Sequence, residues 1–119
     1  MEENKLNELF ETVKRISYVI NEEKGTDTVI FDLRKRYLPF QWSVISTVNS
    51  EGHLKGVINR LLSVLGEENI MCDLSKRLIS KNWLSIDCSY FCINLMREES
   101  RDYYDLEDFY YNCPNLRID

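Results

Sequence analysis

Few side chains in this sequence have the chemistry of catalysis, and their spacing assembles no familiar device. Asp32 and Asp87 fall within or at the ends of expected strands, so they could converge on one sheet edge as paired carboxylates for acid–base work. The competing reading is that each caps a loop or faces water. His53 is the only imidazole and falls in the first turn of an expected helix, where the dipole disfavours its protonated form; capping or packing the helix start outweighs a Cys–His pair. Cys72, Cys88, Cys92 and Cys113 include no Cys-x-x-Cys pair, and with one histidine they make no zinc quartet. They read as small hydrophobes of a reducing compartment. No Gly-x-Gly-x-x-Gly, Gly-Lys-Ser/Thr loop or Asp-x-Asp pair occurs. Arg34-Lys35-Arg36 is too short a basic run to define a nucleic-acid surface and is expected to be solvated. The expectation is a protein that is not an enzyme and holds no cofactor and no metal.

The most informative chemistry is recognition. Between Arg97 and Tyr111, six carboxylates (Glu98, Glu99, Asp102, Asp105, Glu107, Asp108) and two arginines interleave with five aromatics, Tyr103, Tyr104, Phe109, Tyr110 and Tyr111. That is more ring area than the end of a small domain needs for its own core. Aromatics rimmed by charge suit a protein–protein hot spot, because tyrosine brings large contact area at little entropic cost while its hydroxyl stays wet. A core-capping tail and a docking surface both fit this stretch.

The elements that must position these groups follow from composition and period. The 119 residues are 44% hydrophobic and 29% charged, with two prolines, four glycines and 12% aromatics, which describes one ordinary globular domain and excludes a disordered or disulfide-stapled chain. Net charge is -5, and it is uneven: residues 1 to 66 carry 9 basic and 9 acidic side chains, residues 67 to 119 carry 6 and 11. An acidic second half opposes general nucleic-acid binding and suits a basic protein partner. No apolar run reaches membrane-spanning length and Met1-Glu2-Glu3-Asn4 is no export signal, so a cytoplasmic protein is expected.

Leu6, Leu9, Phe10, Val13, Ile16 and Ile20 form one helical stripe, with Glu11 and Arg15 expected to pair opposite it and Gly25 to end it in a left-handed conformation. Thr28 to Leu33 reads as an interior strand. Pro39 forbids a helix in the connection that includes Tyr37 to Phe40. Trp42 to Val48 is a second strand, Asn49 or Ser50 a helix cap, and Leu54, Val57, Ile58, Leu61, Leu62 and Leu65 a helical stripe closed by Gly66. Ile70 to Cys72 is a short strand. Trp83 to Cys88 and Phe91 to Met96 alternate across a Ser89-Tyr90 turn as an antiparallel hairpin, before a final helix from Glu98. This order predicts a single α+β domain over 1–119, a mixed β-sheet flanked by helices, with an N-terminal helix at 4–24, a core at 27–111 and a short tail at 112–119.

With these pieces in order, the closing run Arg97-Glu98-Glu99-Ser100-Arg101-Asp102-Tyr103-Tyr104-Asp105-Leu106-Glu107 resembles that of the ribosomal silencing factors, the Iojap-related family. Trp83-Leu84-Ser85-Ile86-Asp87 resembles the family's Trp-led strand, Thr47 to His53 its strand-to-helix turn, and Asp27 to Leu33 its first strand. Departures stand at Val48, Gly52, Phe40-Gln41-Trp42, residues 73–82, Ser89-Tyr90 and Asn94, the last in place of a strand histidine.

The resemblance implies a nucleotidyltransferase-like mixed-sheet fold without nucleotide chemistry, and a translational repressor. It would bind the large ribosomal subunit through its fourteenth ribosomal protein and sterically block joining of the small subunit. The partner-binding residues it points to are Trp83, Asp87, Glu98, Glu99, Arg101, Asp102, Tyr104, Asp105, Leu106 and Glu107. Other classes remain open: an interaction module of the same fold without ribosome activity, and a nucleotidyltransferase-like enzyme using Asp32 and Asp87. No sequence-specific nucleic-acid binding is expected, and a homodimer is left open.

Overall fold

The computed structural model describes residues 2–36, 38–73, 78–80 and 82–118, with residues 78–80 described by their backbone. Tyr37 and part of the 73–82 departure therefore lie outside the described residues. The chain runs α1 (Glu3–Glu22), β1 (Thr26–Asp32), a 3₁₀ turn (Arg34–Arg36), β2 (Trp42–Thr47), α2 (Glu51–Glu67), β3 (Cys72–Asp73), β4 (Leu78–Ser80), β5 (Trp83–Cys88), β6 (Phe91–Met96), α3 (Glu98–Tyr104), α4 (Leu106–Phe109) and β7 (Asn115–Ile118).

The strands form one mixed sheet in the order β3-β5-β6-β2-β1-β7, with β4 also paired to β5. β2 and β6 run parallel at its centre, and β1 pairs antiparallel with β2 and β7. Central position buries both faces of these strands: every residue of β6 and five of six in β2 are buried, including the polar Ser43, Ser46 and Asn94. The hairpin has the expected limits, with Trp83 opposite Met96 and Asp87 opposite Cys92. Residues 115–118, read from the sequence as tail, are an added strand that covers the outer side of β1.

Each sheet face carries its own core. On one, Val13, Ile16 and Ile20 of α1 and Leu54, Val57, Leu61 and Leu65 of α2 pack on Ile30, Trp42, Val44, Ile86, Ile93 and Leu95. The stripes at three and four residue spacings are the buried faces of these helices. On the other, Val29, Phe31, Leu33, Ile45 and Met96 are covered by Tyr110 and Cys113 from the segment after α4, with Leu38, Phe40, Trp83 and Leu106 around them.

Both helix ends differ from expectation in the same way. α1 closes with Lys24 at φ 71°, its N–H donating to the Asn21 carbonyl and the N–H of Gly25 to that of Ile20. α2 runs through Gly66 and closes with Asn69 at φ 57°, donating to Gly66, while Ile70 donates to Leu65. Each is a Schellman motif whose left-handed residue is not glycine. Gly25 serves another purpose: a Cβ there would lie 2.4 Å from Ile20 Cγ2 and 2.7 Å from Ser46 Oγ, so the position demands close approach. Glu11 pairs with Lys14 at 2.8 Å instead of Arg15, whose guanidinium makes a bidentate pair with Glu68 at 3.0 and 3.1 Å and ties α1 to the end of α2.

Candidate functional site

Asp32 and Asp87 are not brought together. They lie toward the same end of the sheet, but β2 and β6 separate their strands, about three spacings or roughly 14 Å. Asp32 instead holds Arg34 through contacts of 2.6 to 3.1 Å. Burial alone would raise its carboxyl, but the hydrogen bonds and charge of Arg34 outweigh that and hold it below the usual carboxylate range. Arg34 also lies over Trp42 at 5.5 Å, and Arg36 over Phe109 at 5.4 Å, so two members of the basic triplet rest on rings where simple solvation was expected.

His53 is a joint between helices. Its N–H donates to Ser50 Oγ, the α2 cap, and its Nδ1 accepts from the Asn49 N–H at 3.0 Å. A backbone carbonyl only accepts, so the remaining Nε2 donates to the Glu23 oxygen at 2.7 Å, joining the start of α2 to the end of α1. Cys88, Cys92 and Cys113 are buried and Cys72 partly so. Burial pushes the Cys92 thiol up, away from the reactive thiolate. Among the described residues no group of three His, Cys, Asp or Glu is placed to hold a metal ion, and no helix is long and apolar enough to cross a membrane.

Of the recognition residues, Trp83, Tyr103 and Tyr104 are brought together. Strand parity sends Trp83, Ser85 and Asp87 to the face that carries the second core, beside Cys92, Asn94 and Met96 of β6. α3 and α4 follow β6 and return across that face, bringing the Tyr104 ring to 4.7 Å from Trp83 and Tyr103 to 5.0 Å from Tyr104. Trp83 seats part of its indole on the core, whereas Tyr103 is 82% and Tyr104 43% exposed. Phe109 and Tyr111 are exposed farther along the chain, and Tyr110 is buried against Phe31. The closing segment thus divides its aromatics, one ring capping the core and the others facing outward.

The acids divide too. Asp87, Glu98, Glu99, Asp102, Asp105 and Asp108 are exposed. Asp105 also shapes the backbone, taking φ 48° between α3 and α4 while its carboxylate accepts from the Asp108 N–H at 3.3 Å. Glu107 is half-buried and accepts from Arg101 Nε at 2.7 Å. Arg101 is itself 8% exposed, and its Nη1 donates to the Asp27 carbonyl at 2.7 Å and to Thr47 Oγ1 at 3.0 Å. This arginine, expected among the docking residues, is placed to clamp α3 onto the ends of β1 and β2. Leu106 packs partly against the second core.

One residue, named in the sequence only as a departure from the family pattern, has a role there that the sequence did not assign. Asn94, 4% exposed in the middle of β6, accepts the Trp83 indole N–H at 3.0 Å through Oδ1. Its amide nitrogen lies 3.2 Å from Ser43 Oγ and 3.4 Å from the Val44 carbonyl. An amide inside Phe91-Cys92-Ile93-Asn94-Leu95-Met96 was the available signal, since a buried amide needs partners.

A two-faced α+β sheet domain with an exposed aromatic cluster on one face and an acidic closing segment is the class of protein these features define. The sequence matches the family model for "ribosomal silencing factor during starvation" over residues 6–119, and the chain belongs to that family. The Ribosomal silencing factor RsfS of Chromobacterium violaceum is 27% identical over 100 residues, covering 84% of this chain and 82% of that protein. A crystal structure of a Chromobacterium violaceum protein matches with TM-score 0.77 at 26% identity, covering 85% of this chain and 84% of that one. One from Bacillus halodurans, at 22% identity and covering 94% and 99% of the two chains, shares the fold with TM-score 0.71.

Proposed function

We propose that the chain is a translational repressor that docks on the large ribosomal subunit through its fourteenth ribosomal protein and sterically blocks association with the small subunit. The observation that carries this reading is the Trp83–Tyr104 pair, 4.7 Å between centroids, set on a rigid sheet and flanked by exposed carboxylates within a silencing-factor fold. A ring pair that is half seated on the core loses little entropy on binding, and the surrounding acids complement a basic ribosomal protein. Trp83, Tyr104 and Leu106 are the apolar contacts; Asp87, Glu98, Glu99, Asp102 and Asp105 supply charge. Arg101 and Glu107 act beneath them by fixing α3. Repression on this account needs no catalysis and no cofactor, because occupancy of the joining face is itself the mechanism, and the place of action is the cytoplasm.

Sedimentation of purified large subunits with the protein, followed by crosslinking, tests the assignment. Wild type should travel with large subunits and crosslink to the fourteenth protein, whereas Trp83→Ala should stay at the top of the gradient. Binding that survives Trp83→Ala and Tyr104→Ala together, or crosslinks only to other ribosomal components, overturns it.

A further inference from the structure

The indole N–H of Trp83 is satisfied from below. Its acceptor is Asn94 Oδ1 at 3.0 Å, on the neighbouring strand and offset from the direct cross-strand partner, Met96. The indole nitrogen only donates, which fixes the amide orientation: Oδ1 toward Trp83 and Nδ2 inward. Nδ2 then meets Ser43 Oγ at 3.2 Å and the Val44 carbonyl at 3.4 Å, both on β2. Ser43 is fully buried and is approached also by Cys92 Sγ at 3.4 Å. A chain of polar contacts therefore runs from the centre of the sheet out to the aromatic pair.

A buried amide contributes little to folding here that an apolar side chain of similar size would not, since its desolvation offsets its bonds. What it adds is direction. An indole resting on apolar neighbours slides and turns with small penalties; one whose N–H is bonded to a fixed amide keeps a single orientation. We infer that Asn94 is a positioning residue for docking: held by Ser43 and the Val44 carbonyl, it locks the Trp83 indole in the orientation that, with the Tyr104 ring, meets the ribosomal partner. This rests on the proposed docking role of Trp83. Asn94 touches no partner itself, being covered by the sheet's own side chains.

The test measures the indole and the docking separately. The chain has two tryptophans, Trp42 and Trp83, so ¹⁵N-labelled protein gives two indole N–H signals, assigned with Trp83→Phe. In Asn94→Leu, of similar size but without an acceptor, the Trp83 signal should shift and its hydrogen exchange should quicken about tenfold or more, as expected for a lost hydrogen bond. The Trp42 signal should stay in place, and large-subunit affinity should fall about tenfold. Asn94→His, which keeps one acceptor and one donor, should restore both readouts, and Ser43→Ala should loosen the indole to an intermediate degree. An unchanged Trp83 signal in Asn94→Leu overturns the inference whatever the ribosome does. A freed indole with wild-type subunit affinity also overturns it, leaving the docking surface standing if Trp83→Ala abolishes binding. If Trp83→Ala binds normally, the docking role itself fails, and with it the positioning role. Should Asn94→Leu not fold, Asn94→His and Ser43→Ala decide by the same two readouts.

Discussion

Trp42 and Trp83 belong to the same residue type and are expected to fail in different ways. Trp42 is 1% exposed, stacked on Phe10 at 5.5 Å, and its truncation to alanine should cost about 3 to 5 kcal/mol of folding free energy. Trp83 is only partly covered, so Trp83→Ala should cost less stability but on the order of 2 kcal/mol in large-subunit binding. Thermal melts beside a binding titration separate the two; a Trp83→Ala protein that melts like Trp42→Ala would assign Trp83 to the core. The exposed acids act at longer range. Neutralising Glu98, Glu99 and Asp102 together should slow association while changing dissociation little, and rising salt should slow wild type toward the variant, because exposed charges are screened. Stopped-flow association at two ionic strengths reads this directly. Asp32 carries a pH dependence. Its folded carboxyl lies below the ordinary value, so the stabilisation from Arg34 is present above the unfolded pKa of about 4 and is lost as pH falls through the folded one. Asp32→Asn should therefore be less stable than wild type at neutral pH, by at most about 1 kcal/mol for a partly exposed pair, with the difference closing in acid. Denaturant midpoints at pH 7 and pH 3 provide the measurement.

At the scale of elements, periodicity found both long helices, the central strands and the hairpin, because each has one buried stripe or a fully buried run. It missed how the helices end. Lys24 and Asn69 take the left-handed conformation, and a neighbouring glycine drew attention away from them. The reason for Gly25 is the space between Ile20 and Ser46, which only the packing of α1 on the sheet reveals. Gly25→Ala should thus destabilise the domain by about 1 to 3 kcal/mol through overpacking, measurable as a lowered melting temperature. The strand β7 was also hidden. Its four residues are mostly exposed and too few to show alternation, and what orders them is pairing with β1 from 84 or more positions earlier. The candidate site shows the same division. The acidic and aromatic character of 97–111 is written locally, whereas Arg101 finds two of its three acceptors 54 and 74 residues away and Asn94 meets Trp83 across a hairpin, so their roles follow from topology.

The molecule as a whole separates its two sheet faces. α1 and α2 close one with the larger core, while the short α3 and α4 leave the Tyr103 and Tyr104 rings accessible beside the other. The acidic excess of residues 67 to 119 belongs largely to this second part of the chain, which suits approach to a basic surface. On the docking proposed above, repression draws only on binding energy, and a site on the joining face of the large subunit would be covered once the small subunit has arrived. Binding must therefore compete for the open face. Light scattering of subunit association, with the protein added before or after mixing, tests this central claim most directly. Protein added first should suppress joining in proportion to the large subunits it occupies, and protein added afterwards should leave joined ribosomes intact on the timescale of their spontaneous exchange. Equal inhibition by both orders, or rapid splitting of preformed ribosomes at stoichiometric protein, would contradict the steric account.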